Sequence, residues 1–333
     1  MFNRLPRDLS VCTVDFAAFY AGGKLAGSSA IYSPAAVFAA EQQAMGCHME
    51  NIIFIKPPFY AWLMWPFAQL PFMAAIALWR ALGLAAIGLF LWMWPGSKLV
   101  AAAACAWSLP LAANFNAGQD VALVLAAAMG AARLLKAGRP FGAGLALGAC
   151  AIKFHLFSLL PLLVWERRLW RTLLGGAAVV AALAAVSFAA FGASWPRQYW
   201  TALQDPRMNP YPRNMINLNG LFHYHTFWVI PAAVVVSCLC WYIIAAAGVD
   251  LAMAGLLAGG VLIAPHNTIA DGVLFLPLLL LMQKSGSVLA RALALFALTP
   301  VPGLLPGAWQ VIVVLLLAGV AYELWQPRSL QPL

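Results

Sequence analysis

Charged side chains are scarce in this chain: Asp, Glu, Lys and Arg supply 9% of its 333 residues, whereas hydrophobic residues supply 64%. Soluble domains carry roughly one quarter charged residues, so that class is excluded and an integral membrane protein remains. Also missing are the roughly ten-residue segments of strict apolar–polar alternation that mark a membrane β-barrel. Blocks such as "VLAAAMGAARLL" and "VVAALAAVSFAA" are continuously apolar instead, which predicts an all-α polytopic protein. The six cysteines (Cys12, Cys47, Cys105, Cys150, Cys238 and Cys240) form no CxxC pair and have no zinc-like histidine spacing, so they read as small apolar packing residues. The opening "MFNRLPRDLS" has no apolar core and is not a signal peptide. With neither an internal repeat nor a linker of soluble-domain character, residues 1–333 read as one transmembrane domain.

What is present is a series of apolar runs, from Phe72–Trp94 through Leu99–Ala113, Val121–Leu135, Thr172–Phe191, Phe227–Gly248, Leu251–Ala264, Val273–Met282 and Val288–Leu298 to Val311–Tyr322. Several fall short of the ~20 residues a straight crossing needs, so short, broken or re-entrant helices are expected. Abundant Ala and Gly allow the close helix contacts on which packing in lipid depends. The net charge of +9 is spread along the chain, which suits a role in topology rather than a nucleic-acid partner. Three basic loops, around Arg133, Lys136 and Arg139, around Arg167, Arg168 and Arg171, and around Lys284 and Arg291, are assigned to the cytoplasmic side. The Asn114–Asp120 turn, an outer segment at 192–225, the Ala264–Gly272 junction and an outer loop at 8–56 containing Asp15 then face the other way.

Two features strain this scheme. Pro140–Trp165 lies between two loops placed on the same side, so it is expected to form two half-length helices that meet near Lys153–His155. A lysine at that depth faces a cavity or partner, or else snorkels to the interface. Nothing apolar and long enough precedes Asp15 to carry the chain across, so the expectation is either that the amino terminus already lies outside or, the preferred reading, that the first transmembrane helix is missing from the sequence as given.

With this orientation the unusual polar residues collect on the outer face. Asp15, Tyr20 and Lys24 open the chain; Asn114, Asn116, Gln119 and Asp120 form a turn; Trp195, Arg197, Arg207, Arg213, Asn214, Asn217 and Asn219 follow, then His266, Asn267 and Asp271. Carboxylates and amides bind sugar hydroxyls, cations bind phosphate, and aromatic faces stack on sugar rings, so this mixture suits a lipid-phosphate sugar. Each residue has a plainer reading as well. Asn114 and Gln119 can cap a helix, His266 can bond to backbone, and the arginines can be solvated loop charges. Trp62, Trp65, Trp92, Trp94 and Trp107 read as interface anchors.

In order and spacing, "VDFAAFYAGGKLAGSSAIYSP", "FIKPPFYAWLMWPFAQLP", "NFNAGQD", "AIKFHLF", "NLNGL" and "APHNTIADG" resemble the family 87 glycosyltransferases, polyprenol-phosphate-mannose-dependent mannosyltransferases and relatives with the GT-C membrane fold. The resemblance runs from about Thr13 to Leu281. It implies a catalytic aspartate at Asp15, an Asn/Gly-Gln turn at Asn114, Gly118 and Gln119, a mid-membrane Lys153, and a Pro-His junction with a following acid at Pro265, His266 and Asp271. His155 departs from the family pattern, which often has a small or hydroxyl residue there. The implied activity is inverting transfer of a sugar, with mannose the expected one, from a polyprenyl-phosphate donor to a glycan or glycolipid hydroxyl. It would occur on the non-cytoplasmic face of the plasma or inner membrane.

In this scheme Asp15 is the base, Lys153, His155 and His266 meet the donor phosphate, and Tyr20, Asn114, Gln119, Arg213 and Asp271 contact substrate. No cofactor is expected, and a divalent metal is left open. The rival readings are a transporter or flippase for a lipid-linked or small polar solute and a non-catalytic assembly factor.

Overall fold

A computed structural model describes residues 14–46, 52–206 and 215–326, and its elements are helices of α or 3-10 type with no strand among the described residues. Five helices are long and apolar enough to cross a membrane: Phe72–Met93, Pro140–Phe157, Trp170–Phe191, Thr226–Ala246 and Ala308–Trp325. A sixth candidate is broken, with Lys98–Trp107 and Leu109–Ala117 meeting at 61°. Pro110 accounts for the break, since proline is tolerated in a first helical turn but not mid-helix. Val249–Ile263, Ile269–Met282 and Val288–Ala297 are apolar but shorter. The protein is therefore a polytopic helical membrane protein with short and broken spans, as its uneven apolar runs predict.

The chain divides into two compact units. The first comprises Met1–Ala85, Phe115–Asp120 and Ala178–Pro210. In it Phe16–Lys24 packs against Pro58–Ala68, and glycines permit the approach: a Cβ on Gly22 would lie 2.3 Å from the Phe54 ring, and one on Gly23 2.7 Å from the Met64 carbonyl oxygen. Aromatic rings fill the space between, with Phe16 5.6 Å from Phe72, Phe19 5.1 Å from Tyr60 and Phe67 5.3 Å from Trp79. Pro57 and Pro58 end an extended stretch and begin the Pro58–Ala68 helix. The next amide, Phe59 N–H, donates to the Ser187 hydroxyl at 3.1 Å, which satisfies one of the donors that a helix start leaves open.

Glu41, on Pro34–Met45, is fully buried, and neither carboxylate oxygen has a hydrogen-bond partner among the described residues. Burial pushes its carboxyl from 4.5 up to about 8. The folded chain thus keeps a proton that the unfolded chain releases near pH 4.5, so stability should fall as pH rises from about 4.5 through about 8. Thermal unfolding across this range should show that decline, and Glu41→Gln should flatten it. An identical slope in the variant would show that Glu41 is not the group responsible.

The second unit comprises Ala86–Asn114, Val121–Ala177 and Tyr211–Leu333. Here Pro140–Ala149 lies against the start of Trp170–Phe191, with Gly144 so close that a Cβ would sit 2.0 Å from the Thr172 carbonyl oxygen. Both flanks of the stretch from Pro140 to Glu166 are tied to the Ile244–Asp250 region. Lys136, just before it, pairs with Asp250 at 2.6 Å. Arg167, just after it, donates Nε to the Ile244 carbonyl at 2.7 Å and Nη2 to the Ala247 carbonyl. Helical geometry breaks at Lys153, where φ is −136° and ψ 46°. The thirteen residues on either side (140–152 and 154–166) give limbs of about 20 Å each. The break falls where two half-length helices are expected to meet, although Pro140–Phe157 as a whole is long and apolar enough to cross a membrane.

Gly260 seats the returning limb, since a Cβ there would lie 2.0 Å from the Leu156 carbonyl oxygen. Gly260→Ala should cost about 1–3 kcal/mol through overpacking. The readout is the melting temperature of the purified protein in detergent, and an unchanged value would mean that the limb yields freely. Of the tryptophans expected at the interface, Trp62, Trp65, Trp92 and Trp107 are exposed. Trp94 is the correction: it is buried, 5.6 Å from Phe90, so its apolar area goes to packing rather than to anchoring.

Candidate active site

The first unit holds a cluster built on Asp15. This residue immediately precedes the Phe16–Lys24 helix, yet its side chain makes no capping bond to that helix. Instead its Oδ2 accepts a hydrogen bond of 2.6 Å from Gln119 Nε2, and the residue remains half-buried. Gln119 is positioned by its loop. Gly118 takes a positive φ of 67°, a conformation that favours glycine, and a Cβ there would strike Phe16 at 2.7 Å. The loop is pinned by Trp79 Nε1 donating to the Gly118 carbonyl at 2.9 Å, and by Arg80 donating to the carbonyls of Phe115 at 2.8 Å and Asn116 at 2.9 Å.

Behind Gln119, Asp120 pairs with Lys56 at 2.8 Å, the carboxylate having no side-chain exposure and the lysine 10%. The ammonium also lies 5.2 Å from the centre of the Phe19 ring and 4.8 Å from that of Tyr60. A desolvated cation gains from such ring faces. Burial, reinforced by Asp120 beside it, raises the Tyr60 phenol well above its usual range, so it stays neutral. Sequence reasoning missed Lys56; the available signal was a lysine set among apolar residues in "FIKPPFY".

Tyr20 is not placed as a substrate contact. It is buried, donates its hydroxyl to the Leu70 carbonyl at 2.7 Å, and packs edge-on to Phe72 at 5.3 Å. Asn114, in the second unit, follows the capping alternative: its buried Oδ1 accepts from Val121 N–H at 3.1 Å, at the start of Val121–Lys136. Arg213 lies outside the described residues.

The second unit holds a cluster at the Lys153 break. Lys153 Nζ pairs with Asp271 Oδ1 at 2.8 Å, with side-chain exposures of 6% and 1%. The other oxygen, Oδ2, accepts from Thr268 N–H at 2.8 Å in a capping box that opens Ile269–Phe275. His155 is half-buried two residues along. The two expected sites "NLNGL" and "APHNT" are stitched together. Asn267 accepts from Ile216 N–H at 3.0 Å, while Asn217 donates to Ala264 at 2.9 Å and Asn219 to Pro265 at 3.0 Å. His266 sits half-buried in this seam. Among the described residues, no three His, Cys, Asp or Glu side chains are grouped to hold a metal.

Buried ion pairs set on broken helices define a polytopic membrane protein with polar chemistry inside it. The model of glycosyltransferase family 87 matches residues 54–268. That stretch is more than half of the chain, and the chain belongs to this family; it is a multi-pass membrane glycosyltransferase. No curated protein and no solved structure matches it. Lys56, Gln119, Asp120, Lys153, His155 and His266 fall within the matched stretch, while Asp15 precedes it and Asp271 follows it.

Proposed function

We propose that the chain transfers a sugar, mannose in the first instance, from a polyprenyl-phosphate donor to a glycan or glycolipid hydroxyl on the non-cytoplasmic face, with Asp15 as general base. The observation that carries the reading is the Asp15 carboxylate, oriented by Gln119, not spent on capping its own helix, and half-buried rather than sealed. A base in that state can accept the proton of an attacking hydroxyl. The hydroxyl oxygen bonds to the anomeric carbon as the bond to the phosphate oxygen breaks, so configuration inverts in one displacement. Phosphate leaves without protonation, whereas enzymes that expel an alkoxide use a second carboxyl group as acid. One carboxylate therefore suffices, and no step as written calls for a divalent cation.

Lys153, His155 and His266 are assigned to the donor phosphate, where fixed positive charge lowers the barrier as negative charge grows on the leaving group. In this state Asp271 balances Lys153; an arriving phosphate exchanges one anion partner for another instead of meeting a bare buried cation. Gln119 serves the site by orienting the base. The direct test offers the purified protein polyprenyl-phosphate mannose, glucose and arabinose in turn and measures which donor is consumed. Consumption of none, with a range of hydroxyl acceptors present, would refute the donor class.

A further inference from the structure

The first unit contains a cavity of about 500 Å³ that does not include Asp15, a volume within the range of small-molecule sites. Its walls come from four places: the 3-10 turn Ser29–Tyr32, the first turn of Pro34–Met45, the extended Ile53–Phe54, and the helix Trp195–Leu203 with Asp205 beyond it. The lining is divided by chemistry. Ile31, Pro34, Val37, Ile53 and Phe54 form an apolar floor, while Ser29, Ser33, Gln198, Thr201 and Arg197 bring hydroxyls, an amide and a guanidinium to the rim. Arg197 is exposed and has no carboxylate partner among the described residues.

One residue joins this cavity to the proposed base. The Tyr32 hydroxyl, on the cavity wall, donates to the Lys56 carbonyl at 2.9 Å. The Lys56 ammonium binds Asp120, and Gln119 beside it holds Asp15. A ligand seated in the cavity is thus supported by the same scaffold that orients the carboxylate.

We propose that this cavity is the acceptor site, and that it takes a hydroxyl-rich head group carrying a phosphate. The guanidinium supplies a planar fork suited to phosphate oxygens, and the serine, threonine and glutamine groups match hydroxyls. The apolar floor accommodates the carbon face of a polyol. The inference rests on the sugar-transfer reading for its name, acceptor site, but its test does not depend on catalysis.

Binding is measured on the full chain in phosphatidylcholine nanodiscs, with sn-glycerol 3-phosphate as a soluble probe, glycerol as the uncharged control, and nanodiscs doped with phosphatidylglycerol as the lipid-borne form. Saturable binding of glycerol 3-phosphate that weakens tenfold or more in Arg197→Met identifies a soluble phosphorylated ligand. Protection of Arg197-dependent proteolysis or labelling in the doped nanodiscs alone identifies a lipid head group. Ala202→Trp, which brings a bulky ring to the cavity wall and keeps the Arg197 guanidinium in the sequence, should abolish the same signal. Equal binding by the parent chain, Arg197→Met and Ala202→Trp, or no signal from either form, overturns the proposal. If Asp15→Asn transfers sugar normally, the catalytic reading falls while the binding result for the cavity stands.

Discussion

Asp15→Asn should lower sugar transfer by about 10²- to 10⁴-fold, the usual contribution of a general base, and leave the melting temperature close to that of the parent chain. The separation between the two readouts follows from the geometry. Asparagine has the shape of aspartate and retains an oxygen able to accept the 2.6 Å bond from Gln119 Nε2. The aspartate makes no capping bond to Phe16–Lys24, so the substitution withdraws no capping bond from that helix. What disappears is the ability to take up a proton. Donor binding, measured separately, should persist in the variant. Transfer at the parental rate would remove Asp15 from the mechanism.

Lys153→Met should destabilise the second unit by about 3–5 kcal/mol, because it leaves the Asp271 carboxylate buried opposite an apolar side chain. The double variant Lys153→Met/Asp271→Asn should recover most of that loss. Asparagine is neutral, and its oxygen can still receive the Thr268 amide that the capping box requires. Thermal unfolding in detergent reads the first effect. Transfer assays on the double variant then read the second: a restored fold without turnover assigns the lysine to the donor phosphate, whereas restored turnover reduces the pair to a structural brace. A Lys153→Met variant as stable as the parent would mean that water or an alternative cation reaches Asp271.

The helical class, the uneven spans and the break at Lys153 were legible because they follow from counting: apolar run lengths against membrane thickness, and basic loops against the number of crossings. The bond between Gln119 and Asp15 was partly legible, in that both residues were singled out, but nothing in the sequence indicates that residues 104 positions apart share a hydrogen bond. The same limit explains Lys153 and Asp271, read separately as phosphate and substrate contacts, which turn out to be one ion pair across 118 positions. Tyr20 illustrates a different limit. Its polar tip suggests a ligand contact, but a phenol among Phe16, Phe72 and the Leu70 carbonyl is satisfied by backbone and packs as an aromatic. Lys56 went unremarked because a lysine followed by two prolines looks like an exposed turn, and only the fold brings Asp120 and two ring faces around it.

Both clasps of the Pro140–Glu166 loop come from residues made much later: Arg167 binds carbonyls 77 and 80 positions downstream, and Lys136 binds a carboxylate 114 positions downstream. During synthesis that loop therefore has nothing to hold its two feet together until the hairpin around Ala247–Asp250 has emerged from the ribosome. Its buried lysine waits just as long for Asp271. Assembly of the second unit is in this sense a closing step, completed from the carboxyl-terminal side, and a nascent chain halted before residue 240 would leave the loop unlatched.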